Sequence, residues 1–393
     1  MHNFTMKKEN RTHLLENENA FEVLAQAQKL KDKGKKIINL GIGQPDFSPP
    51  KHVIEAGIKA LKDNPHGYSN AKGILDLREA ISLENFNLFN KNINPEHILV
   101  SPGGKPIIFI AISMLAGLGS EIILPNPSFP IYKSIINYCG SKPIFFPLKE
   151  ENNFNLNADD ILSKVNSKTK LIILNSPCNP TGSIIEKKEI DKLVQNLEDF
   201  PNVYIFSDEI YSKIIFNNNK ISSLIENEQL AKKLIILNGL SKSFAMTGWR
   251  IGWGIFPEHL IDLAEKFATN LYSCVNNFTQ YAAISAITGP QKSVIIMRKS
   301  YEKRTKMMVT GINEVNGFDC KFPIGAFYCF PNIRGTGLNS DKLQKMLLNK
   351  LGIATISGTN FGPKNNDYIR ISCCTSESNI LDAISILKNH FNN

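Results

Sequence analysis

Four short apolar runs, at residues 121–124, 171–174, 203–206 and 234–237, each stop abruptly at a turn of Pro, Asn, Gly or Asp. A strand with one wet face alternates polar and apolar residues. An unbroken apolar run bounded by turns instead suits a strand covered on both faces, as in a parallel sheet. Helix-length amphipathic stretches such as 187–197 lie between the runs, which is the alternation of an α/β domain. Open sheets of this kind bind ligands beyond the carboxyl ends of their strands, so the polar residues following each run become the candidates for chemistry.

After about Pro290 the pattern changes. A long charged helix is predicted over 291–313, then strand-like pieces around 326–330 and 368–372, and a closing helix from Glu377. At 393 residues the chain exceeds the usual size of one domain. The expected organisation is a large domain over 51–290 and a smaller α+β domain made of 1–50 and 291–393, with a cleft between them.

Composition removes several classes of function. No stretch reaches the roughly 18 uninterrupted apolar residues of a membrane span. The start, through Arg11, is polar and lacks the apolar core of a secretory signal; it reads as the leader or frayed arm of a cytoplasmic protein. Seven cysteines at irregular spacings argue against a disulfide framework or a metal site, and Cys373 and Cys374 read as packed thiols. The formal charge of +9 is scattered. Its densest group, Lys29 to Lys36, is interrupted by Asp32 and suits a solvated helix end better than a nucleic-acid surface.

The polar residues beyond the runs form a set. Lys242 follows the run at 234–237 and precedes Phe244, Ala245 and Met246, a context that desolvates an amine and favours its nucleophilic neutral form. Asp208 follows the run at 203–206; it suits a helix cap, or a partner for a protonated pyridine nitrogen. Tyr211, one turn on, and Asn179 can both hydrogen-bond a phenolate oxygen. Gly104 and Lys105, between a predicted strand at 97–100 and the apolar helix at 107–118, offer backbone N–H groups to a phosphate, although a Gly-Gly pair is also an ordinary turn. Arg250 supplies a guanidinium fork for the remaining phosphate oxygens. A Schiff-base amine, a ring-nitrogen carboxylate, phenolate donors and a phosphate cradle together describe pyridoxal phosphate. Gly41 and Gly43 lack the third glycine and the opening helix of a dinucleotide site, which excludes NAD there.

Several motifs then carry a family resemblance across nearly the whole chain. They are Gly41 to Phe47, Gly67-Tyr68-Ser69, Leu77-Arg78-Glu79-Ala80, Asn179-Pro180-Thr181-Gly182, Ser207 to Tyr211, Ser241 to Arg250, Gly325 to Tyr328, and Tyr368 to Ser372. The chain resembles the class I/II pyridoxal-phosphate aminotransferases of fold type I, in the bacterial aspartate-aminotransferase-like branch. The resemblance implies a large domain built on a mostly parallel seven-stranded sheet, and two transamination half-reactions. Arg370 would bind the substrate α-carboxylate with help from the Gly43 N–H and Asn179, and Tyr68 would cross a homodimer interface to the neighbour's phosphate. Phe129 falls where relatives often stack a Trp on the ring, and Gly239 where many have a phosphate-binding Ser, so phosphate must lean on other groups. The same scaffold also serves C–S β-lyases and other α-carbon eliminations, and aminotransferase-like regulator domains; here too few residues precede the fold for a DNA-binding domain.

Substrate choice follows from charge. A dedicated dicarboxylate enzyme needs a second fixed cation, and no arginine stands out near the side-chain pocket, which Glu18, Asn19, Ala20, Phe21 and the loop Phe129 to Tyr132 should border. Lys105 and Lys133 are the remaining cations that could assist an acidic substrate. The expectation is a broad enzyme with aspartate, alanine or aromatic donors and 2-oxoglutarate or pyruvate as acceptor.

Overall fold

The computed structural model describes residues 11–63, 66–217, 219 and 223–393. The expected polar arm lies outside these residues up to position 10. Arg11, which its polarity grouped with that arm, is docked instead: it opens the 3₁₀ turn Arg11–Leu14 and donates to the Cys139 carbonyl at 3.2 Å.

The strands in chain order are β1 (Ile38–Asn39), β2 (Ile98–Ser101), β3 (Glu121–Asn126), β4 (Lys142–Pro147), β5 (Thr169–Asn175) and β6 (Tyr204–Asp208). There follow β7 (Leu234–Gly239), β8 (Gly252–Ile255), β9 (Tyr328–Cys329), β10 (Ile353–Ala354), β11 (Ile356–Ser357) and β12 (Ile369–Ser372). Seven of them form the central sheet in the order β2-β8-β7-β6-β5-β3-β4. Only β8 runs against its neighbours. The apolar runs therefore become the middle of a mostly parallel α/β sheet. Along β5, Ile172 and Leu174 join the core on one face while Leu171 and Ile173 join the core on the other, which is why the run carries no polar alternation.

The small sheets lie elsewhere in the chain. β9, β11 and β12 pair antiparallel, and β1 pairs parallel with β10. A third core, with Leu40, Met308, Ile312, Ile371 and Ile380, packs beneath them between the helices Lys292–Ile312 and Glu377–Phe391. The strand expected around 326–330 is shorter than its composition suggests, because Ala326 has φ of +56° and cannot sit in an extended strand. No described helix is long and apolar enough to cross a membrane. Among the described residues no cluster of three or more His, Cys, Asp or Glu could hold a metal ion, and all seven cysteines are free thiols.

Ile173 is fully buried on β5, an interior strand of the large sheet, with a helix layer beyond it. Ile173→Ala should lower unfolding free energy by about 2–5 kcal/mol, read as a drop in the denaturant midpoint of the purified protein.

Candidate active site

The carboxyl edge of the sheet opens into a cleft of about 580 Å³. Gly104 and Lys105 come from the turn after β2, Phe129 from that after β3, Asn179 from that after β5, Asp208 and Tyr211 from the end of β6, and Lys242 from the turn after β7. Arg250 precedes β8, and because that strand is antiparallel its start lies at the same edge. Gly43 and Arg370 arrive from the loop after β1 and from β12, so the small sheets close the cleft from the other side.

The Lys242 amine donates to the Gly43 carbonyl at 2.6 Å and lies 5.9 Å from the ring centres of Tyr211 and Phe327. Burial, with the Arg370 and Arg250 charges adding to it, lowers its pKa to about 8, while Cys374 and Glu18 oppose the shift. The amine is thus neutral far more often than a surface lysine. Gly43, whose N–H is expected to assist the substrate α-carboxylate, thus also accepts from Lys242 through its carbonyl.

Asp208 is buried at the end of β6. Desolvation raises its pKa to about 6, against hydrogen bonds from the Tyr132 hydroxyl and the Ile210 N–H and the charge of Lys242. The Tyr132 contact is 2.6 Å and the Ile210 contact 3.2 Å, so the carboxylate both caps its turn and faces the cleft. The sequence placed Tyr132 on the border of the side-chain pocket without assigning it a partner. The signal was available: Tyr132, Ile135 and Ile136 form the buried face of the helix Pro130–Tyr138, and a buried tyrosine hydroxyl requires a partner.

Asn179 and Arg370 meet directly. One guanidinium nitrogen donates to Asn179 Oδ1 at 3.0 Å and the other to the Gly41 carbonyl at 2.5 Å, with the guanidinium held 4.5 Å from the Tyr328 ring centre and 5.1 Å from that of Phe361. Arg370 Nε is buried and has no hydrogen-bond partner among the described residues. Tyr328, quoted above only as part of a motif, also receives Tyr211: their hydroxyls are 2.9 Å apart. Phe129 lines the cleft edge-on to Tyr132, with ring centres 5.6 Å apart.

At the opposite end the Gly103 to Lys105 turn opens the helix Lys105–Leu115, with Gly104 as its N-cap. Gly103 has φ of +86°, and a Cβ there would lie 2.1 Å from an Arg250 nitrogen, so this turn admits only glycine. Arg250 donates to the carbonyls of Thr247 at 2.8 Å and Pro102 at 3.1 Å, which aims its guanidinium across the turn. The missing serine at Gly239 also has a cause: a Cβ there would come 2.9 Å from the Gly252 Cα on β8. Ser241 and Thr247 line the cleft instead and were not picked out from sequence. Tyr68 is not among the lining residues and is 91% exposed.

A model of the family described as aminotransferase class I and II matches residues 35–387, and the chain belongs to that family. It is a pyridoxal-phosphate-dependent transaminase of fold type I. Among its relatives, (5-formylfuran-3-yl)methyl phosphate transaminase of Methanocaldococcus jannaschii is 36% identical, the match covering 94% of this chain and 96% of that protein. Aspartate aminotransferase of Pyrococcus horikoshii is 35% identical over 93% of this chain and 92% of its own length. The crystal structure of aspartate aminotransferase from Rhizobium meliloti superposes with a TM-score of 0.93 at 28% identity, covering 98% of this chain and 99% of that one.

The residues present fit the cofactor. The cradle at Gly103 has no room for a side chain, Asp208 is a buried carboxylate facing the cleft, and Lys242 is a buried amine with a lowered pKa. Because the Tyr132 hydrogen bond lowers the Asp208 pKa, Tyr132→Phe should raise it. Less of the carboxylate is then ionised at a given acidic pH, so the acid limb of kcat/KM should move to higher pH, and loss of this bond should cost about 1–3 kcal/mol of carboxylate stabilisation. A pH–rate profile of the variant against the parent checks the direction.

Proposed function

We propose that this chain moves amino groups between L-amino acids and 2-oxo acids by a ping-pong mechanism, with aspartate, alanine or aromatic donors and 2-oxoglutarate or pyruvate as acceptors. The observation that carries the reading is the convergence of Lys242, Asp208 and Arg370 on one cleft, the first with a lowered pKa and the last with an unpaired buried N–H. The relatives described above are transaminases by name, which favours transfer over elimination at the α-carbon.

Pyridoxal phosphate, when bound, supplies a carbonyl for amine exchange and a ring that accepts the electron pair left at a substrate carbon. Lys242 Nζ is the proton carrier: neutral, it takes the proton from the substrate α-carbon, and protonated, it delivers it. Asp208, ionised above about pH 6, would hold a proton on the ring nitrogen. Tyr211 and Asn179 would hydrogen-bond the cofactor's phenolate oxygen, and Phe129 would pack against its ring. The Gly104 and Lys105 N–H groups, the Ser241 and Thr247 hydroxyls and Arg250 would hold its phosphate. Arg370 pairs with the α-carboxylate, beside Asn179 and Gly43. Tyr68, exposed in a single chain, serves the neighbour's phosphate in a cytoplasmic homodimer. The division into 51–290 and the flanking 1–50 with 291–393 is supported by the sheets, since every strand of the large one lies between Ile98 and Ile255.

The purified protein should be yellow, and borohydride should fix the cofactor to the peptide containing Lys242; a label on another lysine refutes the assignment. Asp208→Ala should lower kcat by roughly a hundred- to a thousandfold, the size of losing one preorganised charge partner. Arg370→Ala should act mainly on KM, and an unchanged KM for every donor and acceptor would remove it from the α-carboxylate site.

Sedimentation of the active enzyme should give a dimer at working concentration. A stable, active monomer would rule out the role for Tyr68.

A further inference from the structure

Among the described residues lining the cleft four are cationic: Lys105, Lys242, Arg250 and Arg370. On the transaminase reading, which this inference assumes, three of them are engaged by the α-carboxylate, the phosphate and proton transfer. Lys105 alone remains for a charged group at the far end of a substrate side chain.

That lysine is already occupied. Its ammonium lies 2.6 Å from Glu18 Oε2 and 5.3 Å from the centre of the Phe21 ring. Glu18 and Phe21 both line the cleft, and the Glu18 side chain is the more enclosed partner, 17% exposed against 46% for Lys105. The other cation raised by the sequence, Lys133, is held in the same way by Glu16 at 2.6 Å. Both glutamates belong to one N-terminal segment, pinned to the large sheet's helices by Glu16 N–H on Ser134 Oγ at 2.8 Å and by Arg11 on the Cys139 carbonyl at 3.2 Å. Glu18 precedes the helix Asn19–Asp32 but makes no side-chain cap bond to it, so its carboxylate is free to serve the cleft.

We propose that Glu18 determines side-chain specificity by neutralising Lys105, so that the cleft favours uncharged substrate side chains and an acidic one must first displace Glu18. A second carboxylate arriving at Lys105 meets a like charge already bonded there. It either leaves Glu18 unpaired in a partly enclosed site or finds no cation of its own. An alanine or aromatic side chain disturbs neither partner, and an aromatic ring gains contact with Phe21.

The test uses the cofactor-loaded enzyme and Glu18→Gln, which keeps the shape and removes the charge. The kcat/KM ratio of aspartate to alanine, measured with 2-oxobutyrate as common acceptor, should rise about tenfold, the effect of freeing one partly exposed cation. Adding Lys105→Met to Glu18→Gln should abolish the gain. Binding of succinate, a dicarboxylate that cannot react, is titrated in parallel and should tighten in Glu18→Gln by a similar factor. An aspartate-to-alanine ratio that stays constant or falls, with alanine still turned over, overturns the proposal. If no donor is turned over by the parent enzyme, the transaminase reading fails, and succinate affinity decides the role of Glu18 by itself: tighter in Glu18→Gln supports it, equal or weaker affinity refutes it. A gain that persists without Lys105 would refute the mechanism, since relief of repulsion would then act elsewhere.

Discussion

A parallel sheet covered on both faces leaves polar side chains no place except at the ends of its strands. β5 and β6 pair strand to strand over Leu171–Asn175 and Tyr204–Asp208, and the apolar side chains between are claimed by one core or the other. The turns after β2, β3, β5, β6 and β7 must therefore carry the chemistry, and they all open at the same edge because those strands are parallel. The single reversed strand, β8, adds Arg250 to that edge through its beginning. Asn175 ties the edge together: its amide donates to the Asp208 carbonyl at 3.0 Å and its oxygen accepts the Asn179 N–H at 2.8 Å. The spacing between two functional groups is thus set by a third residue with no assigned chemistry.

The electrostatics of the cleft follow from the same burial. Desolvation pushes Lys242 and Asp208 toward their neutral forms from opposite sides, to about 8 and about 6. Local contacts oppose it at the carboxylate, where Tyr132 and the Ile210 N–H favour the ion. At the lysine two cations reinforce it. The outcome is an amine that gives up its proton readily beside a carboxylate that keeps its charge at neutral pH, which is the pairing needed for proton transfer next to a protonated ring nitrogen. Glu209, the next residue, is also buried and raised to about 7, but its oxygens are taken by Ser207 and Ser223, away from the cleft.

Much of this was legible beforehand. The apolar runs marked strands of the right identity because two-sided burial leaves a continuous pattern, and Asn179, Asp208 and Lys242 stood out because they follow those runs. Ser241 and Thr247 did not stand out, since a serine or threonine in a turn is ordinary until its neighbours in space are known. Tyr132 was placed at the pocket but not paired with Asp208, because that partner lies 76 residues away. The strand around 326–330 was overextended because composition does not reveal the left-handed backbone at Ala326.

Sequence alone determined the α/β class, the order of the functional turns and the residue types at each, because these depend on local pattern and on position relative to a strand end. Tertiary structure decided which groups face one another: Arg370 against Asn179, Tyr132 against Asp208, and Lys105 against Glu18 rather than free in the cleft. Such pairings join segments far apart in the chain, and periodicity carries no information about a partner on another element. The absence of a serine at Gly239 belongs to the same class, since only the approach of β8 to β7 shows that a side chain has no room there.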